Sequence, residues 1–257
     1  MKVTVLGCGS STGTPGMCIG WGKCDPANPK NRRTRPSIMV EEGDTRVLID
    51  TSPDLREQAI RAGIDRLDAV VYTHDHADHL HGIDDLRPFN RTMNRSLDIY
   101  GDAKTLGTIR QRFPYVVTPL PPDATIYYKP VLVPREIRAG EPFRIGALEF
   151  QPFLQEHGHA RTLGFRIGDF AYSTDLIELP EAGFAAVAGI RTWVLGVFAD
   201  HPHPTHVHVE KALGWIERVK PERTIITHMS PALDYAAFSA SLPKGIEPAY
   251  DGMVFEA

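Results

Sequence analysis

Apolar residues gather along this chain in short runs of strand length separated by turn residues, with one clear stretch of helical periodicity towards the end. MKVTVLG at the start, then SIMVEE and RVLIDT, read as β-strands from their Val and Ile content, with Gly43 and Asp44 as the turn between the last two. A helix is expected from Pro53 to about Ala62. LDAVVYTH is a continuous apolar run that ends directly in a histidine-rich segment, and a second helix is expected near Asp78 to Leu86. Asp102 to Phe113 reads as helical, and the proline-rich stretch from Val117 to Pro122 as an exposed loop placed to border a site. IYYKPVLV, PFRIGALEFQPFLQ and LGFRIGDFAYSTD supply three or four further strands. RTWVLGVF and RTIITHM are strands flanking a helix that carries Val209, Ala212, Leu213, Ile216 and Val219 on one face. Strands alternate with helices at both ends around a strand-rich middle, and no repeat or Ser/Gly linker interrupts them. A layered α/β sandwich over residues 1–257 is therefore preferred to two tethered domains.

Composition narrows the function classes. With 257 residues, 42% hydrophobic and 23% charged, the chain is long enough for one large core. A formal net charge of -4 gives no overall basic surface, so no stable nucleic-acid partner is expected, while small anionic substrates need only local positive charge. No apolar run reaches the roughly 18 residues of a spanning helix, and the N-terminus has no signal-peptide anatomy, so no membrane partner and a cytoplasmic location are expected. Cys8, Cys18 and Cys24 are an odd count, which argues against a disulfide framework and leaves reduced thiols or a metal site.

Histidine is the informative residue, because its 11 copies are bunched. Four lie between His74 and His81, two at His157 and His159, four between His201 and His208, and the last is His228. Imidazole is the commonest transition-metal ligand, so separated clusters point to several loops converging on one site. In His74-Asp75-His76-Ala77-Asp78-His79, residues two apart in an extended segment face the same side, so His74 and His76 can chelate one metal. Asp78 and His79, where the chain turns into a helix, are placed to bind a second. Two metals need further ligands, and His157, Asp175 and His228 each stand near the end of an apolar strand. Asp175 has two carboxylate oxygens with which to bridge two ions at the roughly 3.5–4 Å spacing of paired-metal hydrolases.

The HxHxDHxxG pattern, preceded by Asp50 and followed by His157, Asp175 and His228, resembles the ordered motif set of the metallo-β-lactamase superfamily over nearly the whole chain. The resemblance implies an αββα four-layer sandwich with two mixed β-sheets and the site at the sheet edges. It also implies two divalent metal ions, zinc or manganese: His74, His76 and His157 on one, Asp78, His79 and His228 on the other, Asp175 bridging, and Asp50 orienting the histidine loop.

Gly7-Cys8-Gly9-Ser10-Ser11-Thr12-Gly13-Thr14-Pro15 and Asn31-Arg32-Arg33-Thr34-Arg35-Pro36-Ser37 are similar to the branch holding phosphoribosyl cyclic phosphodiesterases, close to tRNase Z. Physically, a Gly/Ser/Thr-rich turn can present backbone N–H groups to phosphate and nearby arginines can neutralise it, which nominates Ser10, Ser11, Thr12, Arg32, Arg33 and Arg35 for substrate. In the resembling phosphodiesterases a histidine from the segment His201-Pro202-His203-Pro204-Thr205-His206 is general acid to the leaving oxygen, and His206 matches best. An imidazole near the metals is expected to stay protonated around neutral pH. His201, His203, His208, His159 and His81 read as solvent-facing, with Thr205 capping the helix. The catalytic positions are thus Asp78 in the metal site and His206, acting on a small phosphodiester or nucleotide; the resemblance also implies a homodimer. The branch often carries a structural zinc on CxCxxC, whereas Cys18 and Cys24 are separated by five residues, a poor spacing for a zinc knuckle. A tRNA 3′-processing nuclease and a non-catalytic cofactor-biosynthesis protein on the same scaffold are the alternatives.

Overall fold

In the computed structural model, which describes residues 1–257, the apolar runs become strands β1 (Lys2–Gly7), β2 (Ser37–Glu42), β3 (Thr45–Ile49), β4 (Ala69–Val71), β5 (Leu97–Gly101) and β6 (Leu132–Glu136). They are followed by β7 (Phe143–Ile145), β8 (Leu148–His157), β9 (Ala160–Ile167), β10 (Phe170–Ser173), β11 (Thr192–Gly196), β12 (Arg223–Thr227), β13 (Ile246–Pro248) and β14 (Val254–Glu256). Hydrogen bonding orders them into two seven-stranded sheets, β14-β1-β2-β3-β4-β5-β6 and β13-β12-β11-β10-β9-β8-β7. Both are mixed: β3 to β6 and β10 to β13 run parallel, while β14-β1-β2-β3 and β7-β8-β9-β10 are antiparallel. The helices are α1 (Leu55–Ala62), α2 (Ala77–Leu80), α3 (Arg87–Met93), α4 (Ala103–Arg112), α5 (Pro114–Val117), α6 (Glu181–Ala186), α7 (Val209–Val219) and α8 (Tyr235–Ser241). This is the expected αββα sandwich.

The central strands β2, β3 and β4 of the first sheet bury apolar residues on both faces because each face meets a different core. Ile38, Val40, Val47, Ile49, Ala69 and Val71 pack towards the second sheet with Phe150, Phe165 and Val194. Their chain neighbours Met39, Leu48, Val70 and Tyr72 join Leu55, Leu80, Phe89 and Ile109 under the helices. Period-two side-chain alternation makes this division. A fully buried aliphatic side chain contributes roughly 1.5–3 kcal/mol, so a one-residue slip that exchanged the two sets would be strongly resisted. On the second sheet, the apolar face of α7 buries Ala212, Trp215 and Ile216 in the larger apolar cluster.

Four expectations are corrected. The helix expected from Asp78 to Leu86 stops at Leu80, because Gly82 sits against the Ser52 carbonyl where a Cβ would overlap it and Gly82 N–H donates to Thr51 O at 2.9 Å. The chain resumes as a 3-10 turn at Ile83–Leu86 and then α3, with a proline in its first turn. Only Ala69–Val71 of LDAVVYTH pairs as strand. β6 begins two residues beyond Pro130, and it tolerates Pro134 because it is a sheet edge. The proline-rich stretch is the exposed loop expected beyond Val117, the last residue of α5, but none of its residues lines the histidine pocket described below. No helix is long and apolar enough to cross a membrane.

Candidate metal centre

The chemistry-bearing residues stand where strands end. Asp50 follows β3, His74 and His76 lie beyond β4, His157 closes β8, Asp175 lies just past β10, and His228 follows β12. Asp50, Asp175 and His228 have φ of 65, 48 and 58°, left-handed values that are uncommon for side-chain-bearing residues and cost of order 1–3 kcal/mol each. The paired β-strands on either side enforce this backbone, and with it the direction of each side chain.

Two groups of ligand atoms result, each confined within 4.8 Å: His74, His76, His157 and Asp175, and Asp78, His79, Asp175 and His228. Asp175 belongs to both. Its Oδ2 lies 3.6 Å from His74 Nε2 and 3.5 Å from His157 Nε2, while its Oδ1 lies 3.2 Å from His79 Nε2 and 2.8 Å from His228 Nε2. Ligands held at about 2.0–2.2 Å around a tetrahedral ion stand roughly 3.3–3.6 Å apart, so the two Oδ2 separations match a common ion between them and the two Oδ1 separations are shorter. His74 Nε2, His79 Nε2, His228 Nε2 and Asp78 Oδ2 are buried without a hydrogen-bond partner. Orphaned buried polar atoms aimed at one another are costly unless something else binds them, and this donor set fits divalent metal ions.

The opposite nitrogen of three rings is tied down. His79 Nδ1 meets Asp50 Oδ2 at 2.6 Å, and Asp50 also accepts from Thr73 N at 2.8 Å and Thr73 Oγ1 at 2.7 Å. Because Thr73 spends its one hydroxyl proton on Asp50, its oxygen accepts from His74 Nδ1–H at 2.9 Å. His157 Nδ1–H donates to the Thr205 carbonyl at 2.7 Å. Each ring therefore turns its Nε2 inward, and Asp50, fully buried, orients one candidate ligand of each group. Replacing Asp50 with Asn is expected to weaken metal affinity about 10–100-fold, measured by competition with a chromophoric chelator. Unchanged affinity would mean that the rings are held by packing alone.

Charge in the cluster alternates. Burial alone would lower His79 and His228, but Asp175 and Asp78 outweigh it, holding His79 well above the ordinary histidine range and raising His228 to about 9. Burial would likewise raise Asp175 and Asp78, yet His228 and His79 keep both well below the usual carboxylate range. His74 and His157 are lowered chiefly by burial. Carboxylates that draw protons onto neighbouring histidines demand the positive charge that a divalent cation would bring.

His206 stands beside this cluster, its ring 4.7 Å from that of His157 and 4.9 Å from that of His228. It lines a pocket of about 340 Å³ with Ser11, His76, Asp78, His157 and Asp175.

The β-lactamase superfamily domain matches residues 45–229, which include every candidate ligand. The chain belongs to the β-lactamase superfamily. As a member of this hydrolase fold it is similar to a diphosphatase from the PhnP family, at 34% identity and a TM-score of 0.90 over 100% of this chain and 97% of that one. Zn2+-bound PqqB from Methylobacterium extorquens shares the fold at 18% identity and a TM-score of 0.77, each chain fully covered. The octanoyltransferase of Porphyromonas gingivalis is 33% identical over 98% of this chain and 51% of its own length. Ribonuclease Z of Methanopyrus kandleri is 31% identical over 55% of this chain and 46% of its own length. The chain thus spans about half the length, or less, of the curated relatives it matches.

Other candidates in this β-lactamase-superfamily chain are displaced from the pocket. Arg33 is 1% exposed, and its guanidinium donates to Ser230 O at 3.3 Å, Asn31 Oδ1 at 3.2 Å and Leu233 O at 2.6 Å. It is a framework residue, and a phosphate could reach it only by breaking those bonds. Arg33→Met is expected to cost about 3 kcal/mol by leaving buried carbonyls unpaired, read as a lower urea midpoint with metal content retained. Arg35 forks onto Asp54, with Nη2 2.6 Å from Oδ1 and Nε 2.8 Å from Oδ2, and Arg32 lies over Trp21 at 5.7 Å. Both line a separate cavity of about 280 Å³ with Thr12. Ser10 is buried, and the N–H groups of Gly9, Ser10 and Gly13 are spent on Thr34, Met229 and Ser10 carbonyls, so of the three hydroxyl residues only Ser11 reaches the histidine pocket.

Four roles were not read from the sequence. Thr73 relays Asp50 to His74, and Thr205 positions His157 through its carbonyl instead of capping α7, whose N-cap is His208. Asp75 turns away from the metal groups to accept from Thr108 Oγ1 at 2.8 Å and Lys104 Nζ at 3.1 Å, anchoring the loop to α4. His159, read as merely solvent-facing, lines the pocket rim. The protonated His206 expected from the sequence is also corrected: burial, then the positive charge at His228, pushes it down to about 3.

Proposed function

We propose that this hydrolase is a binuclear metal-dependent phosphodiesterase that cleaves a small diester, a cyclic ribose phosphate or a nucleotide diester, to a phosphomonoester. The observation that carries the reading is Asp175, whose two oxygens face two separate histidine sets beneath an open pocket beside which His206 stands. Similarity to the PhnP-family diphosphatase and to ribonuclease Z, both named for cleaving phosphate linkages, supports it.

His74, His76 and His157 would hold one ion, Asp78, His79 and His228 the other, and Asp175 both, with zinc or manganese suited to these donors. When bound, the pair supplies an activated water as nucleophile and positive charge for the phosphoryl oxygens. Asp50, Thr73 and Thr205 keep the rings in the ligating tautomer. Ser11 and His159 border the space that a phosphate group would enter. His206 donates a proton to the departing oxygen. Since its free ring is neutral at pH 7, the anionic substrate must raise its proton affinity on binding, and this ties protonation to an occupied site.

A second reading, cleavage of a diphosphate linkage, is favoured by the name of the 34% identical neighbour. Turnover of bis(p-nitrophenyl) phosphate and of ADP-ribose by metal-analysed protein tests both. Diester cleavage that tracks about two metals per chain supports the first reading. Diphosphate cleavage alone supports the second. Full metal occupancy with neither overturns both and leaves a binding protein.

A further inference from the structure

A second cavity of about 370 Å³ opens next to the metal pocket, between the loop that carries Ser11, Ile19 and Lys23 and the loop at Pro231, with Phe198 on one side. Ser11 lines both cavities. Phe198 stacks on His206, with ring centroids 5.1 Å apart and planes at 16°. The two spaces therefore meet at the proposed acid.

The walls are built and fixed by backbone. Lys23 N–H donates to Pro231 O at 2.8 Å, and Gly22, at φ +56°, approaches so closely that a Cβ there would stand 2.6 Å from that same oxygen. Ile19 rides on a small hairpin closed by reciprocal bonds between Gly16 and Gly20 of 2.9 and 2.8 Å, and it is 56% exposed. An exposed apolar side chain is ordinary on an open surface. One that overhangs a cavity beside a reactive centre has a ready occupant in a ligand. The volume falls in the roughly 300–1,000 Å³ range of small-molecule pockets.

We infer that this cavity is the leaving-group subsite and that it takes a neutral alcohol bearing a flat ring, a nucleoside being the class that fits; the inference rests on the phosphodiesterase reading. In-line displacement sets the departing oxygen opposite the attacking one, and the acid must lie beside the departing oxygen. Whatever that oxygen carries then lies past His206, on the side occupied by Phe198. In the step itself, water's oxygen bonds to phosphorus and gives up a proton to solvent, the P–O bond to the alcohol breaks with its electron pair on that oxygen, and His206 donates a proton there and is reprotonated from solvent. Phe198 and Ile19 offer apolar surface to a ring. Lys23, the lining cation, is already paired with Asp200 at 2.8 Å, so the cavity favours a neutral group over a second phosphate.

The test uses metal-loaded protein with adenosine as probe and methyl ribofuranoside as the control without a base. Calorimetry should show adenosine binding and the control not, with adenosine competing against bis(p-nitrophenyl) phosphate turnover. Ile19→Asp should weaken adenosine about tenfold or more by placing a charge against the ring, with metal content retained and Ile19→Leu restoring affinity. Equal binding of probe and control, or adenosine affinity unchanged in Ile19→Asp, overturns the subsite. Diester hydrolysis without adenosine binding overturns the subsite alone. Adenosine binding that depends on Ile19 with no diester hydrolysis keeps the ring pocket and overturns the phosphodiesterase reading alone.

Discussion

Asp175→Ala is expected to bring metal content below one ion per chain and to reduce diester turnover by on the order of 10³-fold or more. Asp175 is the only residue common to both ligand groups, so its loss removes a donor from each. The charge consequence is larger than the count. His79 and His228 are held protonated by Asp175 and Asp78 in the absence of metal. Without Asp175, several buried imidazoles face one another with one carboxylate among them, and a second dication meets much weaker compensation. Paired metals supply several kcal/mol of transition-state stabilisation, and each 1.36 kcal/mol is tenfold in rate. The fold should survive, because β10 and its neighbours are held by Phe170, Trp193 and Val194, all fully buried in the large apolar cluster. The measurement is metal analysis of purified variant alongside circular dichroism and turnover. Asp175→Asn, of the same shape but uncharged, separates charge from volume. Two bound metals with near-normal turnover in either variant would end the bridging assignment.

His206→Ala should behave in the opposite way: full metal content, native stability and a rate loss that depends on the leaving group. A positioned general acid contributes about 10²–10⁴-fold, but only where the departing oxygen needs a proton. p-Nitrophenolate leaves readily as an anion, so bis(p-nitrophenyl) phosphate should be cleaved by the variant at nearly the parent rate. A diester with an alkyl or nucleoside leaving group should lose the full factor. The pH profile carries the same information. His206 acts in its protonated form, so turnover of the alkyl diester should fall as pH rises through the histidine pKa of the complex. That pKa lies above the free-site value of about 3, because the anionic substrate raises it. The descending limb should vanish in His206→Ala. An equal loss on both substrates would indicate that the ring positions the phosphate or packs against His157 and His228, and that it is not the acid.

The candidate metal cluster was legible because its residues are chemically rare in that density. Five of the six positions from His74 to His79 carry metal-binding groups, and His157, Asp175 and His228 each sit at the end of a readable apolar strand. The arginines misled because a basic run in sequence carries no direction. Arg33 turns inward to loop carbonyls and Arg35 to Asp54, contacts whose partners lie 19 to 200 residues away. Thr73 and Thr205 were missed for a related reason: their contribution is one hydrogen bond to a ring nitrogen, and no composition or spacing marks it.

What the sequence determined by itself is the type of chemistry and the layered fold. Side-chain periodicity fixes which strand residues are buried, and the density of histidine and aspartate marks a candidate metal site. What the tertiary structure decided is the arrangement: that Asp175 presents one oxygen to each histidine set, that Asp50 reaches a ligand in both groups, and that Phe198 joins His206 to a neighbouring cavity. Those facts depend on distances of a few ångströms between segments far apart in the chain. Only the pairing of strands into two sheets and the packing of the sheets against each other set them.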